Sequence, residues 1–443
     1  MINSSSKSIL IRNYVLSEME HGVFRCGERL PGTRDLADRL NISLLTVQNA
    51  LETLEKEGVL RVIPRRGTYV DCEAKNRILQ SNISCYIPWE ELPWGQEFRR
   101  RCSEQIPQLH FSTLMPQSVF EIRATPETQS RSDEYLDLAP IFSRLWPDIH
   151  DFYEPQLHTF SRGEKIFGIP ILFSPRVVFI HTGMFRAAGV PLPQPGWSWE
   201  EFFCIIGQLR RTLPGNRIFS WSTAAHLWMN FVLRSGGALI DPMAPDPVML
   251  DSPATCRGLK RFRYLREILG AVQMERDQFW QGNVALSIAP RQAVGHIKLS
   301  GWNEWDIVPL PIDNAAPNAK SMQATELFCV RRSCVNLSVA ETLLKILLEP
   351  DFQDYLSTLK YAIPLRRSSA EKSFDRNDFR DRIFRQELLQ TQSQYHLNTP
   401  GLFSVVTRGI AQLLTSDTDL EAGLKELGNM LRTYLKILNN QEG

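Results

Sequence analysis

The first seventy residues place the tightest constraint on the fold, because three short helical patterns are followed at once by two β-rich runs around a tight turn. Ile11, Val15 and Met19 recur at helical spacing with Tyr14 beside them, which predicts a first helix. The stretch GVFRCGERLP, residues 22–31, is turn-rich and predicts a connector. Thr33 is placed to cap a short helix through Leu40, with Leu36, Ala37 and Leu40 facing inward. Asn41 and Ile42 form a break. Ser43 then caps a third helix in which Val47, Ala50, Leu51 and Leu54 follow the i, i+3, i+4, i+7 template, and Gly58 ends it. The runs VLRVI and TYV flank Pro64, Arg65, Arg66 and Gly67, a hairpin signal. Helix, short helix, turn, helix and hairpin, in that order, make a winged helix-turn-helix.

Such a module reads duplex DNA by laying one helix in the major groove, with its N-terminal turn on the base edges. Here that turn carries Leu44, Leu45, Thr46 and Gln48, and Gln48 or Asn49 has the amide needed to read adenine. Arg34 opens the preceding helix, where its charge and the free backbone amides suit a phosphate. Arg65 and Arg66 occupy the hairpin tip, placed for a minor groove. Residues 1–70 hold ten Lys/Arg and eight Asp/Glu, a net charge of +2 against +1 for the whole chain, so charge alone separates this module little from the rest.

The stretch from Gly22 to Val70 resembles the DNA-binding domain of GntR-type transcription regulators. The matching features are Gly22, Gly27, Leu30-Pro31, Arg34, Leu36-Ala37, Ser43, Thr46-Val47, Ala50-Leu51, Leu54, Glu57-Gly58 and Gly67-Thr68-Tyr69-Val70. The resemblance implies DNA contacts by Arg34, by the turn Ser43–Thr46 and by the wing at Arg66-Gly67. Where that family has Arg after the helix-start Ser, this chain has Leu44.

Residues 71–82, DCEAKNRILQSN, are polar and weakly patterned and read as a linker between a 1–70 DNA-binding domain and an 83–443 sensor domain. In the latter, strand-like runs such as KIFGIPILF and VALSIAP alternate with helical stretches such as EEFFCIIGQLRR, an α/β pattern that predicts a largely parallel sheet. A zone of this length suits two lobes. Several phrases resemble the solute-binding proteins that capture sugars for ABC transporters: GEKIFGIPILF, the helix ending AAGVPLPQPGWSWEEF, LRSGGALID, LDSPATCRGLKRF, QFWQGNVALSIAP, WDIVPLP and LLEPDFQDYLSTLKYAIPLRRS. The resemblance implies a two-lobed, type-II periplasmic-binding-protein-like fold that takes a carbohydrate between its lobes and closes on it. Where that family has Tyr-Asn, this chain has Ile180-His181.

Strand ends and loops nominate the ligand-binding residues: Trp89, Trp94, Ser174, Arg176, Trp228, Trp280, Arg291, Gln292, Thr325 and Glu326. Aromatic faces suit the C–H surfaces of sugars, and charged or amide groups suit their hydroxyls. Trp197 and Trp199 read instead as structural, because Ser198 and Glu201 spell a capping box.

The eight cysteines form no CxxC pair and read as reduced, packed thiols; the histidines are too scattered for a metal site. MINSSSKSIL lacks an apolar export core and no run of eighteen uncharged apolar residues occurs, so a cytoplasmic protein without a membrane partner is expected. No cofactor is expected. Lys298 and Lys320 lack the small-residue setting of a pyridoxal phosphate site in an aminotransferase-like domain, and no paired carboxylates mark a glycosidase. The sequence therefore reads as a homodimeric, ligand-responsive transcription regulator that is not an enzyme. The alternatives are a fusion to an aminotransferase-like enzyme and a C-terminal zone serving only for dimerisation.

Overall fold

The structure is a computed structural model. It describes residues 11–439 except 13, 17, 20–22, 74–83, 89–91, 108, 113–117, 130, 271–278, 335, 393–395, 397–398 and 400. Most of the 71–82 linker and Trp89 thus lie outside the described residues. The chain divides into two compact units, one made of residues 1–123, 134–147 and 327–349, the other of 124–133, 148–326 and 350–443.

The first unit opens with helical residues 11, 12, 14–16, 18 and 19, the helix Thr33–Leu40, the helix Leu44–Lys56 and an antiparallel hairpin of Leu60–Ile63 with Gly67–Val70. The short helix begins one residue earlier than the sequence indicates. Gly32 is its N-cap, and the Asp35 carboxylate accepts the Gly32 N–H at 3.2 Å. Asn41 closes that helix in the left-handed conformation. Ser43 caps the next as expected, its hydroxyl accepting the Thr46 N–H at 3.3 Å. Val47, Ala50, Leu51 and Leu54 are buried with Ile11, Val15, Leu16, Leu36 and Val59 in one small core.

Residues 27–30 run alongside the hairpin and are tied to it by one isolated bridge and backbone hydrogen bonds. The Gly27 and Leu30 N–H groups donate to the Val70 and Thr68 carbonyls, and Arg29 pairs with Tyr69. Gly67 has φ +115°, and a Cβ there would sit 2.7 Å from the Arg29 side chain, so glycine is required at this turn.

One expectation is corrected here. Cys26 and Cys72 are joined by a disulfide across a sequence separation of 46, while the other six cysteines are free thiols. The pairing arises because residue 27 and residue 70 are hydrogen-bonded neighbours, a closeness that sequence spacing does not reveal.

The rest of this unit is a parallel arrangement of Ser84–Tyr86 with His110–Ser112 and Phe120–Ala124, accompanied by the helices Pro93–Gln105, Ala139–Leu145 and Leu337–Leu348. Glu121, fully buried, accepts from Arg331, from Arg123 and from the Tyr135 hydroxyl, so its charge is met on every side.

In the second unit the pairing is mainly antiparallel rather than parallel as expected, although the short strands Ser321–Met322 and Thr391–Gln392 do pair parallel. Arg176–His181 lies between Leu286–Pro290 and Trp305–Val308 and pairs antiparallel with both. Lys165–Ser174 pairs antiparallel with Phe160–Arg162 and with Ile363–Pro364. Continuous apolar runs report burial on both faces and carry no information about strand direction. The core gathers aromatic side chains from helices Trp199–Leu209, Ala225–Arg234 and Pro253–Leu269 around Trp199, Phe202, Phe231 and Phe262. The capping box forms as read: Ser198 N–H donates to Glu201 at 2.7 Å and Glu201 N–H to the Ser198 hydroxyl at 3.2 Å. Trp197 is held by its indole N–H on the Pro309 carbonyl at 2.8 Å.

His181 ends its strand and caps the helix Thr182–Ala188, its Nδ1 accepting the Met184 N–H at 3.3 Å. Only a neutral imidazole accepts there, and burial pulls its pKa below the ordinary value. The neutral form is thus favoured by folding, so this contribution is complete above pH ~6.5 and is lost as pH falls through the lowered folded value. Asn at this position keeps a cap without titrating. His181→Asn should therefore shrink the difference in urea midpoint between pH 7.5 and pH 5.5, and an unchanged difference would refute the role.

Candidate nucleic-acid interface and ligand site

The amino-terminal module leaves one side of the helix Leu44–Lys56 open. Leu44, Leu45, Gln48 and Asn49 are exposed, opposite the buried Val47, Ala50 and Leu51. Ser43 and Thr46 contribute less polar surface than the sequence implies, because their hydroxyls lie 2.6 Å apart and bond each other. Arg34 is exposed at the start of its helix. Arg65 and Arg66 are exposed in the hairpin turn, Arg65 in the left-handed conformation. The Tyr69 hydroxyl donates to the Arg66 carbonyl at 3.3 Å and braces that turn.

Two further cations escaped the sequence reading. Arg29 bridges to Tyr69, and Tyr69 pairs with Arg61, so the three form a row across the hairpin and the segment beside it and share one face. Both arginines are exposed. No local pattern marks Arg29, because its neighbours on the wing lie some forty residues away. The result is an exposed helix turn beside a basic hairpin, the arrangement a DNA-reading surface requires.

In the second unit the ligand candidates separate. Ser174, Arg176, Arg291 and Gln292 meet at one corner: Arg176 stands opposite Pro290, and the Arg291 N–H donates to the Ser174 hydroxyl at 2.8 Å. Ser174 in turn donates to the Pro175 carbonyl at 2.7 Å, which occupies its hydrogen. Arg291 is 1% exposed and engages the Ser373 hydroxyl at 3.0 Å, the Ser373 carbonyl at 2.7 Å and Asp381 at 2.6 Å. Phe374 and Phe384 flank its guanidinium. Gln292 starts the helix Gln292–Ser300, and its side-chain carbonyl is buried with no hydrogen-bond partner. Trp280 is half-buried and stacks on His296 of that helix at 5.0 Å.

The other candidates lie elsewhere. Trp228 is fully buried in the aromatic core and donates to the Thr223 carbonyl at 3.1 Å. Thr325 and Glu326 are buried at the start of a strand, where the Thr325 hydroxyl accepts from Gln323 at 2.7 Å. Trp94 is fully buried in the first unit. Among the described residues no helix is long and apolar enough to cross a membrane, and no three His, Cys, Asp or Glu side chains gather as a metal site.

A winged helix-turn-helix followed by a periplasmic-binding-protein-like fold defines the class of this chain. Residues 11–70 match the family described as bacterial regulatory proteins, gntR family. The HTH-type transcriptional repressor YtrA of Bacillus subtilis is 32% identical over 63 residues, 14% of this chain and 48% of that protein. An uncharacterized lipoprotein in the oleD 5' region of Streptomyces antibioticus is 37% identical over 94 residues, 20% of each chain. The chain thus spans from a fifth to about half the length of these curated relatives. Among solved structures, UgpB from Mycobacterium tuberculosis in complex with glycerophosphocholine superposes with a TM-score of 0.66 at 17% identity, covering 82% of this chain and 99% of that one. A solute-binding protein of an ABC transporter from Thermotoga lettingae, bound with α-D-tagatose, gives a TM-score of 0.67 at 14% identity over 79% and 97%.

Proposed function

We propose that the chain is a DNA-binding transcription regulator whose solute-binding-like domain senses a small polar ligand of the carbohydrate class and changes operator affinity. The observation that carries this reading is the coexistence of a gntR-family module at residues 11–70 with a fold shared over most of the chain by ligand-capturing proteins. In this reading residues 1–70 bind DNA, 71–82 link, and 83–443 sense. The protein works as a cytoplasmic homodimer, and it binds rather than transforms its ligand. Gln292, with a buried carbonyl awaiting a donor, and Trp280, a half-buried aromatic face, are the candidates best suited to a sugar.

The DNA arm is tested with an operator selected from random duplexes. A footprint with two-fold symmetry is expected from a dimer of such readers. Arg66→Ala should weaken binding to every sequence and lower the salt slope by about one. A footprint without a dyad, or an unchanged slope, counts against it. The sensing arm is tested by thermal shift against a monosaccharide and disaccharide panel. A ligand at 100 times its Kd stabilises by about 2.7 kcal/mol, readable as a rise in Tm. Coupling must be reciprocal, so operator DNA has to change sugar affinity by the factor by which sugar changes operator affinity. Sugar binding without any such change would leave the large domain as a dimerisation scaffold.

A further inference from the structure

The reading turn of the DNA-facing helix presents hydrocarbon. Leu44 is 41% exposed and Leu45 67% exposed, while the core-facing side of the same helix is already filled by Val47, Ala50, Leu51 and Leu54. Neither leucine belongs to that core. The polar groups of the turn are turned on each other, since the Ser43 hydroxyl accepts the Thr46 N–H and bonds the Thr46 hydroxyl. The same module exposes the cations Arg34, Arg65 and Arg66 at its short helix and hairpin turn.

A hydrocarbon tip on a cationic module fits a polyanion that itself carries apolar groups. The major groove of duplex DNA is such a surface, and the C5 methyl of thymine is the apolar group on its base edges. Resting on the DNA-binding reading above, we infer that Leu44 and Leu45 are specificity-determining residues that select thymine by contact with its methyl group. A leucine pressed on guanine O6 and N7, or on the cytosine amino group, strips water from them and offers no hydrogen bond in return. The same contact with a thymine methyl buries apolar surface on both sides. The two side chains diverge by about 100° around the helix axis, so they address different bases. Gln48 and Asn49, exposed on the next part of the turn, remain free to read adenine beside them.

The test uses the full chain and an operator enriched from random duplexes. Each thymine of the half-site is then replaced singly by deoxyuridine, which removes the methyl and leaves every hydrogen-bonding group in place. Binding should weaken about fourfold at each contacted thymine, the factor that corresponds to the ~0.8 kcal/mol of one buried methylene-sized group. Leu45→Ala removes no core packing, so it should fold, as circular dichroism will verify. It should bind the original operator more weakly and no longer respond to uracil at its own position. Affinity unchanged at every uracil position, with operator binding intact, overturns this inference and leaves the DNA-binding reading standing. Failure to enrich or bind any duplex overturns both. Loss of self-association without DNA in a Leu45→Asp variant would assign the leucines to a second copy of the chain and overturn the inference as well.

Discussion

Arg291→Ala should cost the second unit about 3–5 kcal/mol, the usual penalty for removing one partner of a buried ion pair. Arg291 is 1% exposed and its partner Asp381 only slightly more open. Removing the guanidinium strands a carboxylate in the interior. Burial pushes the Asp381 carboxyl up, but Arg291, and after it the Asp375 N–H and Lys360, outweigh that and hold it below the usual carboxylate range. Without Arg291, Lys360 at 2.6 Å keeps part of the compensation, which places the loss toward the lower end. The Ser373 hydroxyl and carbonyl lose their donor at the same time, and the ring faces of Phe374 and Phe384 border a void. Domains have only ~5–15 kcal/mol in hand, so a shift of this size is plain in a urea curve. The double variant Arg291→Met with Asp381→Leu should recover much of the loss, because an apolar pair needs no compensating charge. The same measurement separates two roles. If Arg291 were a ligand contact, alanine would lower sugar affinity and leave the urea midpoint of the free protein untouched.

What the sequence disclosed and what it withheld divide along chain distance. The Ser198–Glu201 capping box and the buried stripe Val47, Ala50, Leu51 and Leu54 are local, and both stand as read. Even locally a single residue can slip. Thr33 has the better capping side chain, yet Gly32 takes the position because the Asp35 carboxylate reaches back to its N–H. Beyond local range the reading weakens. Arg291 was legible as a cation after a strand, but its partner lies 90 residues further on, and only the fold reveals that its donors are occupied. Trp228 likewise was legible as an aromatic before a Gly-Gly turn, though not as a core side chain anchored on Thr223. Strand direction in the second unit was hidden because Val177–Ile180 and Ile288 are buried on both faces, and an apolar run reads the same either way. The corner shared by Ser174, Arg176, Arg291 and Gln292 was found piecewise, residue by residue, with no sign in the sequence that the four meet.

Reduction of the Cys26–Cys72 bond should destabilise the amino-terminal module by about 4 kcal/mol in the chain-entropy account, for a loop of 46 residues. That loop encloses both helices Thr33–Leu40 and Leu44–Lys56 and the whole hairpin. Opening it returns freedom to the unfolded chain and leaves the native contacts in place. The segment 27–30 stays hydrogen-bonded to the hairpin through Val70 and Thr68. The effect is therefore one of stability rather than of shape. A module of this size buries a modest core, so a few kcal/mol is a large share of what holds it. Both sulfurs belong to exposed residues, which gives a thiol reductant direct access. Hydrogen exchange across residues 44–70 measures this directly. With dithiothreitol, or in a Cys26→Ser, Cys72→Ser variant, protection of the slowest amides should fall by about three orders of magnitude, the factor that 4 kcal/mol represents. Operator affinity measured well below the melting temperature should stay the same. Unchanged protection would mean that the bond does not restrain the unfolded chain. A large change in affinity at unchanged protection would mean that it holds the wing in a particular geometry. In a compartment rich in thiols, disulfide exchange sets the closed fraction, so the lifetime of the amino-terminal module follows the redox poise around it.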